Sequence, residues 1–217
     1  MAVLCGTLIV ALHMKNTSTD IDTLSTYDKI ASSFSKSHFE PFWINEFDEF
    51  KKRIDGQKVI DIGCGAGRDA AVFVENGFDY TGIDASSGML SIASTRVPRG
   101  KFMQMDFGKI DFPDHFFDGF WAAASFLHVP KQEVGKLIIE ARRVIKPDGV
   151  GFVAMKEKRD IDEGFIAEDR YGGLKRYFSF YEVDEFANIL QTCGFQVEKI
   201  TQHPDPNTNW ICFFVKR

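Results

Sequence analysis

Three glycines at alternate positions, Gly63, Gly65 and Gly67, follow the short apolar run Val59-Ile60-Asp61-Ile62. From Asp69 to Val74 the chain turns apolar at helical spacing. Glycines in such a turn admit positive φ and let a ligand approach the backbone. The dinucleotide fingerprint G-x-G-x-x-G needs a glycine where this chain carries Arg68. Asp61 stands at the mouth of the turn, where a carboxylate repels a pyrophosphate and attracts a cation. The stretch therefore predicts a ligand with positive charge and no phosphate. A structural glycine turn without any ligand is the alternative.

Strand, glycine turn and helix form the opening unit of a Rossmann-like sheet. Strands are expected at 58–62, 79–83, 101–105, 117–123, 149–155, about 195–201 and 210–216. Helices are expected at 66–76, 87–96, 130–145 and from Tyr181 to Cys193, with Gly77, Gly194 and Pro147-Asp148-Gly149 as stop or turn signals. This alternation predicts an α/β three-layer sandwich: a mostly parallel seven-stranded Rossmann-like sheet with an antiparallel last strand at its edge. Two further helices are expected before the first strand, one over Thr26 to Phe34 and one from about Phe39. In the second, Phe39, Phe42, Trp43, Phe47, Phe50 and Ile54 make one apolar stripe.

Ligands in such sheets sit beyond the carboxyl ends of the strands. After strand two, Asp84 lies about twenty residues past the first glycine, where an acidic side chain accepts both hydroxyls of a ribose. Ser86 reads as the N-cap of the next helix, with Met89 near a bound base. After strand three, Asp106 offers an acceptor to a base amino group and Phe107 a cover for its ring. After strand four, small Ala122, Ala123 and Ala124 leave room at the backbone, and His128 is either a base or a structural histidine. After strand five come Lys156, Glu157 and Lys158, then a charged and aromatic loop over 159–178 that reads as a lid on a substrate.

From Tyr27 to Phe195 the chain resembles small-molecule class I S-adenosylmethionine-dependent methyltransferases. The resemblance rests on VIDIGCGAGRDA, GIDASSGML, FDGFWAAASFLHVP, RRVIKPDGVGFVAMK and RYFSFYEVDEFANILQTCGF. S-adenosylmethionine carries an ammonium and a sulfonium and no phosphate, as the carboxylate at Asp61 asks. The implied cofactor set is Asp61, Gly63, Cys64, Gly65, Gly67, Arg68, Asp84, Ala85, Met89, Asp106, Phe107 and Ala123, with no metal. Arg68 either contacts the cofactor carboxylate or pairs with Asp69. Residues after strands four and five and on the long loop, opposite the cofactor half, give the expected acceptor set His128, Glu157, Arg170, Arg176 and Tyr177, with Tyr27 closing the top, a mixture that suits a small polar or anionic methyl acceptor. The loop after strand four lacks the Asn/Asp-Pro-Pro-aromatic run of enzymes that methylate amino groups of nucleic acids, and the paired glutamates of protein-arginine enzymes. Methylation of a protein or RNA, or a cofactor-binding domain without chemistry, remain as alternatives. A nicotinamide dehydrogenase stands further off, because Arg68 replaces its glycine.

Composition sets the bounds. The 217 residues are 44% hydrophobic and include 22 Phe, enough for one domain with a large core. Net charge is -5 without a basic run, which argues against nucleic acid as a partner. Cys5, Cys64, Cys193 and Cys212 show no metal or disulfide spacing and read as reduced thiols of a cytoplasmic protein. The apolar start, residues 1–13, is too short to span a membrane and lacks the positive start of a signal peptide. Residues 1–20 are thus expected to be a disordered or non-native extension, and 21–217 one domain capped by the helices of 21–54. A monomer or homodimer is expected, with no membrane partner.

Overall fold

A computed structural model of the protein describes residues 18–38, 40–205 and 208–217. Phe39 and residues 1–17 of the expected extension lie outside the described residues. Seven strands form one sheet: β1 (Lys58–Ile62), β2 (Asp79–Asp84), β3 (Lys101–Gln104), β4 (Phe117–Ala123), β5 (Ile145–Lys156), β8 (Gln196–Asp205) and β9 (Thr208–Lys216). Their order is β3-β2-β1-β4-β5-β9-β8. Strands β1 to β5 pair in parallel, and β9 pairs antiparallel with both β5 and β8. The antiparallel strand is therefore the last in sequence, as expected, but it is not the edge. It inserts between β5 and β8, and β8 takes the edge.

The helices are α1 (Ser18–Ser37), α2 (Ile44–Arg53), α3 (Arg68–Glu75), α4 (Ser87–Arg96), α5 (Lys131–Val144) and α6 (Val183–Thr192). On one face of the sheet, Val134, Leu137 and Ile138 of α5 and Phe186 and Leu190 of α6 pack on Phe117, Phe120 and Phe213. On the other, Phe47 and Phe50 of α2 and Phe73 of α3 pack on Trp121, Phe152 and Phe214. Alternation along a strand sends successive side chains to opposite faces, which is why Phe120 and Trp121 belong to different layers. No helix among the described residues is long and apolar enough to cross a membrane.

Three departures from the sequence expectations matter for function. First, α2 starts at Ile44, not near Phe39, because Pro41 disfavours helix at the residue before it. Phe42 and Trp43 thus stand outside the helix, and both reach the cleft described below. Second, the 159–178 loop contains a hairpin, β6 (Glu163–Ala167) paired antiparallel with β7 (Lys175–Ser179). Third, α1 begins well before Thr26. Its buried side carries Thr23 and Thr26, which broke the apolar period. These threonines are buried because they serve β7: Thr23 Oγ1 accepts from the Tyr177 N–H at 2.9 Å and Thr26 Oγ1 donates to the Lys175 carbonyl at 2.8 Å.

Candidate active site

A cleft of about 1500 Å³ opens at the carboxyl ends of β1 to β5. The residues at or just after the end of each of these strands line it: Gly63 to Ala66, Asp84 to Ser86, Gln104 to Phe107, Ala123 to Ser125, and Lys156 and Glu157. Over β1 and β2 the wall is the glycine turn. Gly63 has φ of 80° and sits so close to the β4 turn that a Cβ would meet Ser125 Cβ at 2.3 Å. Gly65 has φ of 53° and nothing within 4 Å of a Cβ position, so its backbone is bare toward open space. Ala124, with φ of 61°, is a strained non-glycine residue on the cleft wall beside them.

Asp84 organises this half. Its Oδ2 accepts from the Gly65 N–H at 2.9 Å and its Oδ1 from the Ser86 N–H at 2.8 Å. Burial pushes its carboxyl up to about 6, against the pull of those two N–H groups. Ser86 caps α4, accepting from the Met89 N–H at 3.1 Å. Helix α1 is pinned across the same turn: Asp28 Oδ1 accepts from Ser86 Oγ at 2.6 Å and from the Gly88 N–H at 3.0 Å.

The opposite half is closed by α1 and the β6–β7 hairpin. His128 ends a single 3-10 turn after β4. Its Nδ1 lies 2.7 Å from the Tyr177 carbonyl, which can only accept, so Nδ1 carries the proton. Burial and the nearby Arg176 guanidinium hold the imidazole down at about 3, so it is neutral and its Nε2 accepts from the Tyr27 hydroxyl at 2.7 Å. Arg176 Nη1 in turn donates to Tyr27 Oη at 2.7 Å, and its Nη2 donates to Glu168 Oε2. Burial pushes Glu168 up, yet Arg176 and Arg170 outweigh it and hold the carboxyl below the usual range. The Arg176 guanidinium also faces the rings of Tyr27, Phe34, Tyr171 and Phe178 at 5.0–5.7 Å. The remaining wall is largely apolar and includes Phe34, Phe42, Trp43, Phe178, Phe180 and Trp210.

Residues 60–153 match the family described as a methyltransferase domain. A sterol 24-C-methyltransferase of Gibberella zeae is 35% identical over 173 residues, which are 71% of this chain and 44% of that protein. A 2-methyl-6-phytyl-1,4-hydroquinone methyltransferase of Synechocystis sp. is 34% identical over 156 residues, 67% of this chain and 48% of that one. The chain thus spans about half the length of these curated relatives. An S-adenosylmethionine-dependent methyltransferase structure from Methanosarcina mazei shares the fold, with a TM-score of 0.71 at 16% identity over 78% of this chain and 96% of that one.

Residues 60–153 thus carry a methyltransferase domain, set in a sheet with the fold of a known S-adenosylmethionine-dependent methyltransferase structure. Of the sequence-derived cofactor set, Gly63, Cys64, Gly65, Arg68, Asp84, Ala85, Met89, Asp106, Phe107 and Ala123 line one cleft. Asp61 and Gly67 do not. Asp61 is turned under the glycine turn, 2% exposed, and accepts from the Tyr80 hydroxyl at 2.7 Å. Gly67, with φ of 78°, is the N-cap of α3 and packs on Ala93. Arg68 is held bidentately by Asp69 at 2.7 and 3.1 Å.

Of the acceptor set, His128, Glu157, Arg170 and Arg176 line the same cleft and Tyr177 does not. Arg176 lines the cleft with its hydrogen bonds directed to Tyr27 and Glu168. Arg170 leans on Glu168 at 2.6 Å. Glu157 lines the cleft but is fixed by the amides of Asn209 at 2.9 Å and Gln202 at 3.3 Å. Tyr177 is not on the cleft wall: it packs edge-on against Phe165, and its contribution is the carbonyl that orients His128. Asp28, Trp43, Lys156, Glu168 and Trp210 were not singled out as site residues. Asp28, Trp43 and Trp210 hold their places by contacts distant in sequence, Glu168 pairs with Arg170 and Arg176 a few residues away, and for Lys156 the position after β5 is the available signal.

His128 gives a pH signature. Its pKa falls on folding from 6.5 to about 3, so the unfolded chain binds more protons between those values and stability drops as pH falls through that window. We expect acid unfolding to set in below about pH 6, and to be blunted in His128→Gln, measured by circular dichroism against pH. The imidazole resonances of His128 should show a neutral ring from pH 5 to 8; an imidazolium in that range contradicts this assignment.

Proposed function

We propose that this methyltransferase moves the methyl group of S-adenosylmethionine to a small-molecule acceptor with an apolar body and one polar head. The observation that carries this is the single cleft with two unlike halves: bare backbone and carboxylates over β1 to β3, aromatic rings beneath a lid over β4, β5 and the hairpin. With Arg176 and Arg170 paired to Glu168, the outer half is less polar than the residue types alone imply. The named activities of the relatives, on a sterol and a phytyl hydroquinone, fit an apolar acceptor better than a small polar one.

Asp84 would take the two ribose hydroxyls on its free lone pairs, since its fixed bonds are to backbone N–H groups. Asp106 and Phe107 would hold the adenine, and bare Gly65 would let the methionine moiety lie on the turn. When bound, the cofactor supplies the activated methyl group by itself. The chain's own work is to align the acceptor for in-line attack and to keep water out. Tyr27, locked between Arg176 and His128, ties α1 to the hairpin for that purpose. Because Nε2 of neutral His128 is occupied by Tyr27, His128 acts by positioning and not as a base.

The test is methyl transfer from labelled S-adenosylmethionine to prenylated hydroquinones, sterols, bulk protein and RNA in parallel. Labelled small molecule with an equal amount of S-adenosylhomocysteine is expected. Label in protein or RNA refutes the acceptor class, and cofactor binding without transfer to any of them points to a domain without chemistry.

A further inference from the structure

Lys156 ends β5 inside the cleft. Its Nζ lies 4.3 Å from the ring centroid of Phe178 and 5.6 Å from that of Trp210. Other cations of the wall are already committed: Arg68 to Asp69, Arg170 and Arg176 to Glu168, Lys136 to Glu133. Among the described residues Lys156 enters no ion pair, and Arg159, which likewise enters none, is exposed at the mouth. A half-buried ammonium over ring faces is stabilised by the rings and further by an anion that comes close to it. The groups around it are Arg176 on β7, Glu168 and Arg170 between β6 and β7, and Asp205 on β8. Burial and Arg176 lower its pKa to about 8, so it is a cation that gains from one more anion.

Its place relative to the reacting end is fixed by the sheet. Ala123 pairs with Ala154, and the Ala124 N–H donates to the Ala154 carbonyl at 3.1 Å. Lys156 is thus two residues beyond the strand position that adjoins the small-residue floor, where a methyl group would arrive. We propose that Lys156 binds the ionised oxygen of the acceptor, and that the acceptor is an aromatic or conjugated hydroxyl compound: a phenol, hydroquinone or enol. The inference rests on the methyltransferase reading above. Rings at Phe178 and Trp210 flank the ammonium and suit a planar body, while the ammonium suits an oxyanion better than a neutral hydroxyl.

The chemistry balances. The acceptor hydroxyl loses its proton to water, or to Lys156 in its amine form, and the O–H electron pair stays on the acceptor. That pair forms the bond to the methyl carbon, and the carbon–sulfur pair returns to sulfur, leaving the thioether. Transfer onto a ring carbon instead moves that carbon's hydrogen to the oxygen. An ammonium beside the oxyanion stabilises the nucleophile without blocking its carbon-side attack.

The probe is para-nitrophenol, whose ionised form is coloured, titrated against pH with the protein saturated by S-adenosylhomocysteine. Binding of the product cofactor is first established by calorimetry. The half-ionisation point of the bound dye is expected to drop by about 1 unit or more relative to free dye, the scale of one close opposite charge. The shift should vanish in Lys156→Met and Lys156→Gln and persist in Lys156→Arg, with cofactor affinity unchanged in all three. Para-nitroanisole, which has no acidic hydroxyl, should bind wild type and Lys156→Met alike. A dye that does not bind, or one whose half-ionisation point is the same in wild type and in a folded Lys156 variant, overturns the proposal. Failure of S-adenosylhomocysteine to bind overturns the functional reading itself, which keeps the two outcomes apart.

Discussion

Asp84→Ala is expected to weaken S-adenosylmethionine and S-adenosylhomocysteine binding by about 1–3 kcal/mol, roughly 5-fold to 150-fold, the scale of lost hydrogen bonds to a charged group. Two losses combine. The ribose acceptor disappears, and the glycine turn loses the carboxylate that bridges the Gly65 and Ser86 N–H groups. Wild-type protein should show the matching pH dependence. The Asp84 carboxyl titrates near 6 because burial disfavours its charge, and ribose hydroxyls donate to the ionised form. Below that pH a proton must leave before the cofactor binds, so affinity should fall about tenfold per unit. The sign for folding runs the other way. A carboxyl raised from 3.8 to about 6 holds its proton more tightly when folded, so its stabilising contribution is complete below pH 3.8 and is lost as pH rises through 6. This opposes the His128 effect over part of the same range. Calorimetry at pH 5, 6 and 7.5 in buffers of different ionisation heat measures both affinity and proton release. A flat profile, or an Asp84→Ala variant with native affinity, removes Asp84 from the cofactor site.

The difference between Asp84 and Tyr27 shows what the sequence can carry. Asp84 follows a buried strand, stands at a fixed distance from the glycines, and bonds to backbone within 19 residues. Strand, turn and cap are local, so their residues could be placed by pattern. Tyr27 meets His128 across 101 residues and Arg176 across 149. Those contacts depend on α1 lying on a hairpin whose short strands, EGFIA and KRYFS, show no apolar-polar alternation in sequence. The same limit applies to the cations of the cleft. Arg170 and Arg176 looked available for an acceptor because Glu168, their shared partner, is close in sequence but has no pattern that marks a pairing. Strand β5 is legible in the sequence, yet nothing local says that Glu157 will be held by the Asn209 amide on β9 while the Lys156 ammonium faces the rings of Phe178 and Trp210. Asp61 shows the converse: its position was right for the motif, but Tyr80 on the next strand takes its carboxylate.

Glu168→Gln is expected to destabilise the protein by about 3–5 kcal/mol, the scale of leaving a buried charge without its partner. The Arg176 side chain is 5% exposed and the Glu168 side chain 18%. Four rings surround the guanidinium, so water cannot replace the lost carboxylate. Arg176→Met should cost less, because Glu168 keeps Arg170, and methionine fills much of the same space among the rings. It does remove a donor to Tyr27, and the Tyr27–His128 pair then loses one of its anchors. The double variant should recover a large part of the Glu168→Gln loss, since it removes the stranded charge together with its partner. Urea unfolding of the four proteins closes the cycle. A coupling above 0.5 kcal/mol, about the additivity limit for independent sites, identifies the pair as the clasp that holds the hairpin to α1. The clasp lies on the acceptor side, so the single variants should raise the acceptor KM while S-adenosylhomocysteine affinity changes by less than about threefold, within the spread of a substitution that touches no ligand group. Strict additivity, or an equal loss of affinity for both ligands, would show that Glu168 and Arg176 do not act as a pair in closing the lid.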